Sequence, residues 1–354
     1  MLSAEPKRSS LGAVAIGAIA LLSVCAWATR RKTREAEARH PPTGQFVEVD
    51  GMRLHYTEHG AASARAVVLL HGNGAMAREM ELSGMVECLA PRYRVIVFDR
   101  PGYGYSDRPS GRPLTPPAQA ALILHALERL GVREPVVLGH SWGAMVATAM
   151  GLAAPGSVRG LVLVSGYYTP SLRLDVTWMS PPALPLVGTV LRHTVSPLLA
   201  RLLWPAMVRR IFAPAPTAPA FSARYPVWMS LRPGTLRASA AEAAMMIPQA
   251  VRLWRREPAL RMPVAIVAGA QDRLVSTAWH SGRLHKRLPH SRLHVVPDAG
   301  HMVHHTAPKA VAAALHALAG RAWPEAVTDT AQDASGRSRH TALSTGAGDA
   351  VDAS

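Results

Sequence analysis

Short apolar runs alternate with longer stretches of helical spacing through most of the chain. The runs at 66–70, 93–98, 135–138, 158–164, 263–269 and 292–297 are rich in valine, leucine and isoleucine and bounded by turn residues. Such runs read as buried strands. Helical spacing occupies 116–130, 277–288 and 307–319, and a helix is expected just after 141. Ahead of them, 46–56 alternates on both sides of Asp50-Gly51, which predicts a β-hairpin. Alternation of strand and helix predicts an α/β fold: a mostly parallel, doubly wound sheet covered on both faces. Its reactive groups should gather at the C-terminal edge of the strands.

Between 167 and 261 the strand signal disappears. Residues 191–212 and 235–256 have helical spacing, each interrupted by proline, and four of the eight tryptophans fall here: Trp178, Trp204, Trp228 and Trp254. The predicted organisation is a core of 45–166 and 262–320, interrupted by a helical insert at 167–261. The tail 321–354 lacks periodicity and is rich in Ala, Ser, Thr, Gly and Asp, so it is expected to be disordered.

After a flank at 1–10, residues 11–29 carry no charge. At about 1.5 Å per residue they span roughly 28 Å as a helix, close to the hydrocarbon thickness of a bilayer. Two readings stand. Ala26-Trp27-Ala28 fits a signal-cleavage site, which would mean export. The length of the run, and the charges of Arg30, Arg31, Lys32 and Arg34 behind it, favour an anchor with the following domain in the cytoplasm. A charged linker at 30–44 is expected next.

Gly139-His140-Ser141-Trp142-Gly143 stands between a strand and a helix, the arrangement of a nucleophile elbow. A serine hydroxyl needs a base, an orienting acid and donors for the oxyanion. Asp272 follows the strand at 263–269, and His301 lies in the loop after the strand at 292–297, both on the same sheet edge as Ser141. His71-Gly72-Asn73-Gly74 follows the strand at 66–70. The N–H groups of Asn73 and Trp142 are the natural oxyanion donors.

These pieces, with Asp99-Arg100-Pro101-Gly102-Tyr103-Gly104-Tyr105-Ser106, resemble the α/β-hydrolase family over 45–318, the insert apart. The resemblance implies Ser141 as nucleophile, Asp272 as acid, His301 as base, and a helical cap at the insert. It implies no cofactor and no metal. Dehalogenase and epoxide hydrolase relatives carry aspartate at the elbow, so Ser141 argues against both activities. The expected reaction is hydrolysis of a carboxylic ester with a fairly apolar acyl or alcohol part, from a small molecule or a lipid. The same triad also serves C–C hydrolysis, acyl transfer and perhydrolysis. A non-catalytic, membrane-tethered binding protein is the reading from another class.

His71 and His140 are expected to be structural, and Asp99 and Asp107 to fix a loop. Asp298 reads as a turn former. His304 and His305 read as surface or packing residues, because no carboxylate or cysteine joins them at ligand spacing. The net charge of +16 invites a nucleic-acid reading. Arginine far outnumbers lysine, the basic residues are scattered and aromatics are only 5%, so no nucleic-acid partner is expected. Two cysteines exclude a disulfide framework, and Cys25 and Cys88 are expected to be unbridged.

Overall fold

The computed structural model describes residues 7–109, 114–172 and 179–320. Trp178, the first residues of the N-terminal flank and the 321–354 tail lie outside these.

One sheet holds eight strands in the order β1-β2-β4-β3-β5-β6-β7-β8. β1 (Gln45–Val49) and β2 (Met52–His59) form the expected hairpin. Its turn residues Asp50 and Gly51 have φ of 52° and 73°, the two positive angles that favour Asp-Gly there. β2 runs antiparallel to β4 (Arg94–Phe98). The others, β3 (Ala66–Leu70), β5 (Val136–His140), β6 (Gly160–Val164), β7 (Val264–Gly269) and β8 (Arg292–Val296), continue the sheet in parallel. β5, β6 and β7 are buried at every position, because helices cover both faces.

α2 (Ala77–Glu81), α3 (Met85–Leu89) and the C-terminal helix Pro308–Ala319 pack on one face through Met80, Met85, Leu89, Val311 and Leu315. α4 (Pro116–Arg129) and α5 (Trp142–Ala153) pack on the other through Ile123, Leu127, Met145 and Val146. The register pairs Leu70 with both Phe98 and Gly139, Gly139 with Leu163, and Gly269 with Val296. The parallel strands therefore end together, and the loops that follow them share one edge.

Between β6 and β7 the described residues contain no strand. They form α6 (Val187–His193), α7 (Val195–Phe212), α8 (Pro219–Arg224), α9 (Val227–Ser230) and α10 (Pro233–Arg256). The break in the first expected helix falls at Thr194, not at a proline. Pro197 stands in the first turn of α7, where no N–H partner is needed, and α7 continues through Pro205. Trp204 stacks on Tyr225, with centroids 5.7 Å apart, and Trp254 carries the Arg287 guanidinium at 4.4 Å. α11 (Arg283–Arg287), entered through a π-turn at Ala278–Gly282, and α12 (Val303–Thr306) precede the C-terminal helix, α13.

The N-terminal helix α1 (Lys7–Arg39) departs from expectation, since it runs through most of the supposed linker at 30–44. Residues 30–39 contain only good helix formers besides Thr33, and Arg31 and Lys32 both pair with Glu35 one turn on. Cys25 and Cys88 are both free.

Candidate active site

Ser141 joins β5 to α5 with φ 53° and ψ −115°. A non-glycine residue holds such angles only where its surroundings fix them. A Cβ on Gly139 would collide with the Gly143 backbone, and one on Gly143 with the Leu70 carbonyl. The two flanking glycines are thus required by the closeness of strand, helix and neighbouring strand.

The structure brings the three expected side chains into one chain of contacts. Ser141 Oγ lies 3.1 Å from His301 Nε2, and His301 Nδ1 lies 2.8 Å from Asp272 Oδ2. Asp272 Oδ1 accepts the N–H groups of Leu274 at 2.8 Å and Val275 at 2.9 Å. Burial pushes the Asp272 carboxyl up, but His301 and the two N–H groups outweigh it and hold the carboxyl below its usual value. An ionised Asp272 accepts a hydrogen bond from the Nδ1–H of His301, which leaves the Nε2 lone pair toward Ser141. Asp298, the carboxylate just before His301 in the chain, is exposed.

Asn73 and Trp142 border the serine. A Cβ on Gly72 would stand 3.3 Å from Ser141 Cβ, so the turn containing Asn73 lies against the elbow. Trp142 opens α5, and N–H groups in a first helical turn have no intrahelical acceptor. Asn73 is held by the insert: its Nδ2 donates to the Ser239 carbonyl at 3.0 Å, and its Oδ1 accepts from Ser239 Oγ.

His71 and His140 both contact backbone. His71 Nδ1 donates to the Gly72 carbonyl at 2.8 Å, and its Nε2 accepts from the Arg100 N–H at 3.0 Å. Burial and the nearby Arg100 push its pKa down to about 3, so it stays neutral. His140 Nε2 donates to the His301 carbonyl at 3.1 Å. Asp99 accepts the N–H groups of Ala77 at 2.7 Å and Tyr105 at 2.9 Å, and Asp107 accepts that of Arg53 at 3.0 Å. Both act as loop fasteners.

Two buried polar groupings were not foreseen. Arg100 donates to the carbonyls of His71 at 2.7 Å and Gly72 at 2.8 Å, and pairs with Glu242 of α10. Glu242 is the only acidic residue between Asp175 and Glu257, a solitary acid that could have marked it in the sequence. The second grouping corrects the reading of His304 and His305. They are buried, and a carboxylate does join them: Glu79 Oε1 lies 2.6 Å from His304 Nε2 and 2.7 Å from His305 Nε2. Glu79 sits on α2, distant in sequence, so no local spacing reveals it. These are hydrogen-bond distances, and the three groups tie α2 to α12 behind His301. His304 also packs against the His140 ring in a tilted contact, with centroids 4.1 Å apart.

Comparison with known proteins agrees with this architecture. The family model described as alpha/beta hydrolase fold matches residues 65–308. A putative carbamate hydrolase, RutD, of Caulobacter sp. (strain K31) is 29% identical over 296 residues, covering 78% of this chain and 99% of that protein. Haloalkane dehalogenase 2 of Mycobacterium tuberculosis is 26% identical over 287 residues, covering 78% of this chain and 94% of that protein. The crystal structure of a membrane phospholipase A superposes with a TM-score of 0.61 at 22% identity, over 89% of this chain and 100% of that one. With well over half of its length matched, the chain belongs to the α/β-hydrolase fold family.

Proposed function

We propose that the protein is a serine hydrolase that cleaves a carboxylic ester of a fairly apolar small molecule or lipid through an acyl-enzyme. The observation that carries the reading is the continuous Ser141–His301–Asp272 contact chain on a strained elbow. Ser141 Oγ attacks the ester carbonyl while His301 Nε2 takes its proton. The oxyanion accepts the N–H groups of Asn73 and Trp142. His301 then gives the proton to the leaving alcohol oxygen as the C–O bond breaks. Water, deprotonated by His301, attacks the acyl carbon, and Ser141 regains its proton as the acid departs. Asp272 keeps the imidazole in the tautomer this requires.

Serine at the elbow argues against the halide displacement named for the dehalogenase relative, which in that branch uses aspartate. The carbamate hydrolase relative fits acyl transfer to water at an elbow serine. The preorganised triad weighs against a purely binding role.

α1 is read as a membrane anchor. It contains an apolar span with mean hydropathy 2.0 over its best window, of which 6% is buried. It passes without a break through the Ala26-Trp27-Ala28 site, and Thr29, the residue after that site, is buried. Both features favour retention over cleavage, and the basic residues behind the span favour a cytoplasmic catalytic domain.

The test is labelling with a fluorophosphonate probe. The native enzyme should be labelled and Ser141→Ala should not. Equal labelling of the two would remove Ser141 from the mechanism.

A further inference from the structure

Outside α1, the exposed large apolar side chains of the described residues are concentrated in one stretch. Eleven of them fall within 172–207, against Phe46, Trp279 and Val295 for all the rest. On α7 they form a stripe: Val195, Leu199 and Leu202 recur at helical spacing, with Leu203 and Met207 beside them. Leu186, Val187 and Val190 add exposed apolar side chains at the adjoining α6. Leu186 is 83% exposed and Leu202 76%, an arrangement water alone does not favour. No acidic residue occurs from 176 to 241, whereas Arg201, Arg209 and Arg210 are exposed on α7 itself.

The position of α1 says what covers this face. α1 packs against α6, α7 and α9. Gly12 to Leu21 project free of the body, and contact begins at Leu22 and Cys25. Thr29, the last residue of the uncharged run, is buried and donates its hydroxyl to the carbonyl of Thr194, the break between α6 and α7. With the uncharged run across a bilayer, Thr29 stands at its edge, and Thr194 with it. Leu22 then lies about 10 Å deeper, at about 1.5 Å per residue. The parts of the body that touch it must enter the membrane as well. That depth is the one an interfacial helix occupies, about 5–10 Å into the headgroup and acyl boundary.

We propose that the apolar face of α6 and α7 is a second membrane contact: a lipid-binding surface that enters the headgroup region beside α1. Its arginines meet anionic phosphates at the rim. The proposal rests on α1 being a retained membrane helix. Its consequence for the enzyme is that the insert, which also holds Asn73 through Ser239, stands at the lipid surface. Substrate then reaches the site from the bilayer.

The test uses the full chain in vesicles of phosphatidylcholine and phosphatidylglycerol. Leu199→Cys, Leu202→Cys and, as the control, Val295→Cys are each made with Cys25 and Cys88 replaced by serine, and each carries an environment-sensitive fluorophore. Probes at 199 and 202 should shift to the blue and be quenched by lipids nitroxide-labelled near the headgroup. The probe at 295 should be quenched by aqueous iodide. An anchored protein whose 199 and 202 probes answer only to iodide overturns the lipid surface and leaves the anchor standing. Probes quenched by neither agent point to a second copy or another protein on this face, and overturn it too. A chain left in the supernatant overturns the anchor and the surface together. A second variant, Leu199→Glu with Leu202→Glu, should lower kcat/KM several-fold for a long-chain ester embedded in vesicles. It should leave hydrolysis of a short soluble ester unchanged. Equal loss on both substrates overturns the proposal, and absence of hydrolysis in the native enzyme is instead the failure of the esterase reading.

Discussion

Arg100 and Glu242 form a buried ion pair between the loop after β4 and α10 of the insert, 142 residues apart in sequence. Gln119 and Tyr103 complete it, donating to Glu242 at 2.8 Å and 2.7 Å. The guanidinium also holds the carbonyls of His71 and Gly72. One charge pair thus connects the insert to the turn that carries Asn73.

Glu242→Gln should therefore be costly, because it leaves the Arg100 charge buried without its counter-charge. A loss of about 3 kcal/mol is expected, the lower end for breaking such a pair. Replacing both partners, Arg100→Met with Glu242→Leu, should recover much of that loss, since no lone charge then remains. Chemical denaturation measures both. If the ion pair also sets the oxyanion turn, the double variant should regain stability without regaining kcat. Full recovery of kcat would reduce the pair to a fastening of the insert.

Asp272→Asn should keep the fold and lower kcat by up to about 10⁴, because the amide favours the wrong imidazole tautomer. Asp298→Asn should be close to neutral, since that side chain is exposed. Steady-state kinetics on a short-chain ester separates the two, and the reverse outcome would move the acid to Asp298. Asp272 is held below the usual carboxylate range, so it remains ionised well into acid. An acid limb in kcat/KM near neutrality is therefore not the titration of Asp272.

The parts that could be read in the sequence are those in which one loop holds its own signal. Ser141, Asp272, His301 and Asn73 each lie within five residues of a strand's C-terminal end, and parallel strands bring their ends to one edge whatever lies between. The parts that could not be read depend on packing at a distance. Glu79 meets His304 and His305 only because α2 and α12 lie side by side on the same face of the sheet. Ser239 meets Asn73 only once α10 has folded back on the core. The linker expectation failed differently: Pro41 and Pro42 marked a real boundary, but the charged residues before them suit a helix better than a loop.

The Glu79 grouping predicts a dependence of stability on pH. Burial pushes the Glu79 carboxyl up, yet His304 and His305 outweigh it and hold it well below its usual value. A carboxyl whose pKa is lower in the folded chain contributes stability above its unfolded value, about 4.3. That contribution is lost as pH falls from there through the folded value. Glu79→Gln should be less stable than the native chain near neutrality, and the difference should shrink progressively below about pH 4.3. Urea unfolding at a series of pH values measures it. A difference that stays constant into strong acid would mean that the carboxylate charge contributes nothing.

The last prediction concerns the N-terminus. α1 should remain attached, with the catalytic domain on the cytoplasmic side. Arg30, Arg31, Lys32 and Arg34 follow the span directly, and such charges resist translocation. Retention follows from packing: Thr29 and Ala36 are buried against the insert, and Arg232 holds Glu37 at 3.0 Å. Removing residues 1–21 should consequently release a soluble, active hydrolase, because contact with the body begins only at Leu22. Removing residues 1–34 should destabilise it by exposing the surface around Thr194. N-terminal sequencing of the mature protein tests retention, and a chain beginning at Thr29 would mean a cleaved signal. Protease digestion of sealed inverted vesicles tests sidedness. The catalytic domain should be degraded there and protected in right-side-out vesicles, and the opposite pattern would place the active site outside the cytoplasm.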